Sequence, residues 1–157
     1  MICAPLSKST LIASGLPVRV VPEIYDAMAA SDVLVAATGT ATLEAAVLGV
    51  PMVAVYHLPW LSWEIAKRIA SVPYAALPNI LARQEIVPEL LQGRMRSDAI
   101  AETVGRLLDD PQRRAAMRTA LRQVAADLGP PGAAARAAHH VVMQLSGASI
   151  AGHESEG

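Results

Sequence analysis

Two uninterrupted apolar runs, Val33-Leu34-Val35-Ala36-Ala37 and Met52-Val53-Ala54-Val55-Tyr56, do most to limit the folds open to this chain. A strand with one wet face alternates apolar and polar residues. A run without alternation belongs to a strand covered on both faces, as in a parallel sheet layered with helices. The segment between the runs opens on Thr38-Gly39-Thr40, carries Leu43, Ala46, Val47 and Val50 at helical spacing, and closes on the turn Gly49-Val50-Pro51. Strand, turn, helix, turn, strand is a βαβ unit, so the expected class is α/β with a Rossmann-like parallel sheet.

The flanking sequence extends this pattern. Val18-Arg19-Val20-Val21 is a short β-branched run, and Pro22 is placed to open a helix over Glu23 to Ala30. Residues 60–70 read as a helix, and Tyr74 to Leu77 as a short strand stopped by Pro78. After Asn79 the pattern reads as helical throughout. Ser97 is placed to cap a helix with an apolar face of Ile100, Val104, Leu107 and Leu108. Asp110-Pro111 starts another, with Met117, Leu121, Val124 and Leu128 inward, ended by Gly129-Pro130. Ala134, Ala138, Val141, Val142 and Leu145 form a last stripe. The organisation expected is a weakly patterned segment over 1–17, a domain with trailing helices over 18–145, and a flexible polar tail over 146–157.

Composition removes several classes of function. Of 157 residues, 13 are basic and 14 acidic, so the basic excess of a nucleic-acid binder is missing. Phe is absent and there are only two Trp and three Tyr, too few for a base-stacking platform. Cys3 is the only cysteine, which excludes an internal disulfide and a CxxC metal knuckle. Residues 45–63 carry no Asp, Glu, Lys or Arg, a length that could span a membrane. Gly49, Pro51, His57 and Pro59 interrupt that stretch, so it reads as a helix end, a buried strand and a loop. The first residues lack a positive segment ahead of an apolar run, so a cytoplasmic protein is expected.

The chemistry is expected at Thr38, Gly39 and Thr40. In open α/β sheets ligands bind at the carboxyl ends of the strands. A helix N-terminus there offers free N–H groups and partial positive charge, which suit a phosphate. Gly39 lets the backbone approach closely, and the two threonines add hydroxyls. Glu44, four residues beyond Thr40, falls on the same side of the helix, roughly 6 Å along its axis. A carboxylate there would repel phosphate but could accept hydrogen bonds from a sugar's hydroxyl pair. The alternative leaves no ligand: Thr38 or Thr40 caps the helix and Glu44 complements its dipole. A dinucleotide fingerprint is missing, since Gly39 is the sole glycine of the turn, and Lys8-Ser9-Thr10 lacks the glycines of a P-loop.

The segment ASDVLVAATGTATLEAAVLGVPMVAVYH (30–57) resembles the donor-nucleotide half of a GT-B glycosyltransferase. With AKRIA (66–70) and YAALPNILARQEIVPELLQ (74–92), the resemblance narrows to the lipid-A-disaccharide synthase family and covers roughly 18–145. It implies transfer of 2,3-diacylglucosamine from its UDP derivative to 2,3-diacylglucosamine 1-phosphate. The products would be a β-1,6-linked disaccharide 1-phosphate and UDP, with no metal and no cofactor. By the resemblance, Gly39 and Thr40 would hold the leaving diphosphate, Glu44 the ribose, and Asn79 would reach the donor from a loop kept open by Pro78. Members of the family also carry an amino-terminal domain that binds acceptor and supplies the catalytic carboxylate. Nothing before Val18 matches it, so the chain is expected to be the donor-binding half, inactive alone. The partners implied are the UDP-sugar donor, that acceptor domain, a second copy of the chain, and the cytoplasmic face of the inner membrane. Two alternatives stand beside this reading. One is another GT-B UDP-sugar enzyme, an epimerase or transferase of UDP-N-acetylglucosamine. The other is a non-catalytic UDP-sugar-binding or dimerisation module.

Other residues carry less. Trp60 and Trp63 read as membrane or acyl contacts, or equally as core. Arg114, Arg118 and Arg122, with Arg113, read as a solvated helix face more readily than as a lipid-headgroup surface. His57 follows a strand and reads as structural. His139 and His140 are adjacent, so they point to different sides of a helix and make no metal pair.

Overall fold

The computed structural model describes residues 23–57 and 73–145. The described residues fall into two units, divided after Asp127. The first contains α1 (Ile24–Ala29), β1 (Leu34–Ala37), α2 (Thr40–Val47), β2 (Met52–Tyr56), α3 (Leu77–Ala82) and β3 (Glu89–Leu91). A 3-10 turn (Gln92–Arg94), α4 (Ser97–Asp109) and α5 (Pro111–Asp127) complete it. The second holds α6 (Ala133–Leu145).

The sheet is parallel, in the order β1-β2-β3. Leu34 lies opposite Met52 and Ala37 opposite Val55, while Ala54 faces Glu89 and Tyr56 faces Leu91. The α/β reading therefore holds. The central strand is the one buried throughout, Met52 to Val55, because it is flanked on both sides. At the edge of the described strands, β1 buries Leu34 and Ala36 but leaves Ala37 exposed.

Between β1 and β2, α2 ends in a Schellman closure. Gly49 takes φ +67, its N–H donates to Ala46 O at 2.9 Å, and Val50 N–H donates to Ala45 O at 3.0 Å. This left-handed position is the reason for a glycine there. The buried face of α2 differs from the expected stripe. Thr42, Ala45 and Ala46 are buried, whereas Val47 is 58% exposed and Leu43 half-buried. With almost every position of α2 apolar or small, periodicity discriminates poorly, and the alanines allow the closest approach to the sheet.

Three further expectations are corrected. Tyr74 to Leu77 is not a strand; Leu77 opens α3 with Pro78 in its first turn, where a missing N–H costs nothing. The chain is not all helical after Asn79, since β3 adds a third strand. Ser97 does not cap α4; Arg96 occupies that position in an extended conformation and Ser97 is the first helical residue. The expected strand at 18–21 and helix at 60–70, with Trp60 and Trp63, lie outside the described residues.

Met117 and Leu121 of α5 join the buried cluster of the sheet, and Val124 is also buried. Helix α2 packs on α5 and α3, and α4 packs on α5 and β2. Two devices join α4 to α5. Asp110 accepts the Arg113 N–H at 2.9 Å, and Arg114 donates to the free carbonyls of Leu107, at 2.6 Å, and Leu108. Arg114 thus closes a helix C-terminus rather than joining a free basic face. Asp110→Ala removes an N-cap acceptor and is expected to cost about 1 kcal/mol, read as a lower urea midpoint with unchanged m-value.

In the second unit, Gly129 and Gly132 adopt positive φ before α6. Arg136 donates to the carbonyls of Pro131 (2.8 Å) and Pro130 (3.1 Å). The described side chains of α6, from Ala133 to Gln144, are exposed, including Val141 and Val142 at 58% each. The stripe of Ala134, Ala138, Val141 and Val142 is therefore exposed.

Candidate functional site

Thr38, His57 and Gln92 follow the three parallel strands, so all three stand at one edge of the sheet. At β1 the chain turns sharply into α2. Thr38 N–H donates to Val55 O at 3.0 Å, which keeps the residue in register with β2. Gly39 then occupies the N-cap position with φ +122 and ψ −154. This region of backbone space is essentially confined to glycine.

The mouth of this turn is open. Gly39 and Thr40 are exposed, and a Cβ built on Gly39 would meet nothing within 4 Å. The Gly39 carbonyl is held by Thr42, whose N–H donates at 3.1 Å and whose hydroxyl donates at 2.7 Å. Thr42 is fully buried, so the turn is pinned from below. No side chain caps the helix at Gly39. Among the described residues, the N–H groups of Thr40 and Ala41 and the hydroxyls of Thr38 and Thr40 have no partner. The first turn of α2 contains no acidic residue. Glu44, the first carboxylate along the helix, is half-buried and makes no ion pair with a described residue. The ligand-free alternative, a threonine cap, is therefore not what the structure contains. The geometry instead presents free donors and partial positive charge to an anion, with an acceptor one turn further on.

Asn79 is placed differently from expectation. It lies within α3, not on an open loop, and it is 0% exposed. Its Nδ2 donates to Val87 O and to Glu89 Oε1, both at 2.8 Å. Its Oδ1 accepts the N–H groups of Ile86 at 2.8 Å and Val87 at 2.9 Å. Both hydrogens and both lone pairs are thus committed inside the protein. Pro78 holds no loop open; it is itself buried in the first turn of the helix.

Glu89 and Thr42 were not singled out by the sequence. Glu89, 9% exposed, accepts the Ala75 N–H (2.9 Å to Oε2) and the Ala76 N–H (2.9 Å to Oε1) as well as Asn79. An acid heading a run of three strand residues looks like a loop residue, and a threonine in a helix looks neutral. The available signal for Thr42 was its position three residues after the glycine, where a hydroxyl reaches back to a backbone carbonyl.

Other features lie away from the mouth. Among the described residues, a depression of about 440 Å³ involves Glu85, Val87, Pro88, Arg113 and Met117. A second of about 390 Å³ involves Gly93, Arg94, Arg96 and Arg106. Arg96 pairs with Asp98 at 2.7 Å and Arg106 with Glu102, all four on exposed surface. His57 is exposed beyond β2. His139 and His140 meet edge to face at 6.2 Å. Among the described residues no group of three or more His, Cys, Asp or Glu is placed to hold a metal, and no helix is long and apolar enough to cross a membrane.

Comparison with known proteins adds an independent finding. The family model described as lipid-A-disaccharide synthetase matches residues 16–140. The sequence is 38% identical over 141 residues to a lipid-A-disaccharide synthase of Geobacter sulfurreducens, covering 89% of this chain and 36% of that protein. It is 46% identical over 117 residues to the corresponding synthase of Anaeromyxobacter dehalogenans, covering 74% and 30%. For that of Syntrophus aciditrophicus the identity is 43% over 114 residues, covering 73% and 30%. The chain thus spans about a third of the length of the curated relatives it matches.

Proposed function

Because this chain belongs to the lipid-A-disaccharide synthase family, we propose that it is the donor-nucleotide-binding part of a hexosyltransferase of lipid A assembly. The reaction is transfer of 2,3-diacylglucosamine from its UDP derivative to 2,3-diacylglucosamine 1-phosphate. A hydroxyl oxygen of the acceptor bonds to the donor's anomeric carbon as the bond from that carbon to the diphosphate breaks. The hydroxyl proton passes to a base in the acceptor-binding part of the full-length protein, and UDP departs carrying the new negative charge.

The observation that carries this reading is the open N-terminus of α2. Charge grows on the diphosphate as the glycosidic bond breaks. The N–H groups of Thr40 and Ala41 and the threonine hydroxyls are already oriented to meet it, without reorganisation. Thr38, Gly39 and Thr40 form the diphosphate cradle, and Glu44 accepts hydrogen bonds from the ribose. Asn79 contributes from inside the fold rather than by touching donor.

Both substrates carry acyl chains, so the reading places the protein at the cytoplasmic face of the inner membrane. The exposed Val141, Val142 and Met143 of α6 are the kind of surface a second copy would cover.

Glu44→Ala tests the ribose assignment. Calorimetry should show UDP binding weakened about tenfold, equivalent to about 1.4 kcal/mol, with inorganic pyrophosphate binding unchanged. Equal UDP affinity in the variant and the parent would remove Glu44 from the site.

A further inference from the structure

Glu89 is a buried carboxylate with no cation beside it among the described residues. It faces no described lysine, arginine or histidine as an ion pair. Its charge is met by donors instead: the backbone N–H groups of Ala75 and Ala76 and the Nδ2 of Asn79. Such a group is costly to bury, and three converging donors are what make it tenable. Ala76 is the N-cap residue of α3, so the carboxylate occupies the positive end of that short helix.

What this carboxylate joins is informative. Glu89 lies on β3 directly opposite Ala54, two residues before the end of β2. The chain leaves β2 at His57, on the edge that carries the Gly39 mouth, and Ala75 and Ala76 lead it into α3. Helix α3 in turn packs against α2, whose first turn is the mouth. Asn79 clamps the other side by holding Ile86 and Val87, the residues that lead into β3. The two side chains therefore fix where the returning chain and α3 sit against α2.

Resting on the reading of the Gly39 mouth as a nucleotide site, we propose that Glu89 is a positioning residue for nucleotide binding. It touches no ligand. It moors Ala75 and Ala76 to the central sheet, and through α3 it holds α2 at the angle that aims the free N–H groups of Thr40 and Ala41 at the diphosphate. Nothing about the site requires a charge at Glu89 itself; it requires an acceptor for donors on two sides at once.

Glu89→Gln keeps shape and volume but turns an amide NH2 towards a donor whichever way it lies. Glu89→Asp keeps the charge and is one methylene too short to hold both backbone amides. UDP affinity is measured by calorimetry at a temperature where each variant is folded by circular dichroism, with amide hydrogen exchange on the same samples. UDP binding about tenfold weaker is expected in at least one variant. Exchange should be faster at Ala75 and Ala76 and unchanged at 34–37 and 52–55. In the parent chain the Ala75 and Ala76 amides should exchange as slowly as those of β2. Parental UDP affinity in both folded variants, slowing that is lost uniformly across the sheet, or loop-like exchange of the two amides in the parent would each overturn the proposal while leaving the mouth intact. A parent chain that fails to bind UDP would instead overturn the nucleotide reading, and this inference with it.

Discussion

Gly39→Ala should reduce UDP affinity at least a hundredfold while leaving the chain folded. Gly39 sits at φ +122 and ψ −154, where an L-residue with a Cβ is strained by about 1–3 kcal/mol. The added methyl would project into open space, so clash is not the cause. The cost is in the backbone, and the turn relieves it by rotating towards negative φ. That rotation swings the first turn of α2, and with it the N–H groups of Thr40 and Ala41 that face the diphosphate. A hundredfold loss corresponds to about 2.7 kcal/mol, comparable with removing two charge-assisted hydrogen bonds. Calorimetry gives the affinity and thermal melting the stability. Affinity within threefold of the parent would show that the turn's conformation does not matter to the ligand.

The largest loss of stability is expected at Asn79. Truncation to alanine leaves the N–H groups of Ile86 and Val87 and the carbonyl of Val87 without their side-chain partner, and takes one donor from Glu89. Asn79 and Val87 are both 0% exposed, so water cannot replace the bonds between them without opening the packing. A buried group left unsatisfied costs about 1–3 kcal/mol, and with partial relaxation the sum should be about 3–5 kcal/mol. Domains of this size have about 5–15 kcal/mol in total, so the variant will be marginal. Urea unfolding measures it; a loss below about 1 kcal/mol would mean the network is dispensable.

The parts of the fold legible in the sequence were those whose burial leaves a long trace. The run at 52–56 is continuous because β2 lies between two strands and is buried, the run at 33–37 is buried at Leu34 and Ala36, and Gly49 marks a turn that needs positive φ. The parts that were not legible are those settled by tertiary partners. Strand β3 has three residues and begins with a carboxylate, and only the donors of Ala75, Ala76 and Asn79 explain how Glu89 is buried there. Residues before a proline disfavour the helical region, which made 74–77 look extended. Ala76 is extended as the N-cap residue, and the helix begins one residue later. The turn at Gly39 was legible as a place, since strand, glycine and helix follow one another. Its openness was not, because a threonine cap and a free N-terminus share the same residues. Asn79 shows the limit most clearly: an asparagine after proline reads as a turn residue, the resemblance makes it a donor contact, and its four internal hydrogen bonds are invisible without β3.

All of this depends on the backbone N–H groups at the start of α2 holding the diphosphate of a UDP-sugar. Amide chemical shifts of labelled protein, followed during separate titrations with UDP, pyrophosphate and uridine, test it most directly. The account predicts saturable shifts at Gly39, Thr40 and Ala41 with UDP and with pyrophosphate, and none at those residues with uridine. Amides of Thr40 and Ala41 that stay unmoved at saturating UDP would contradict it.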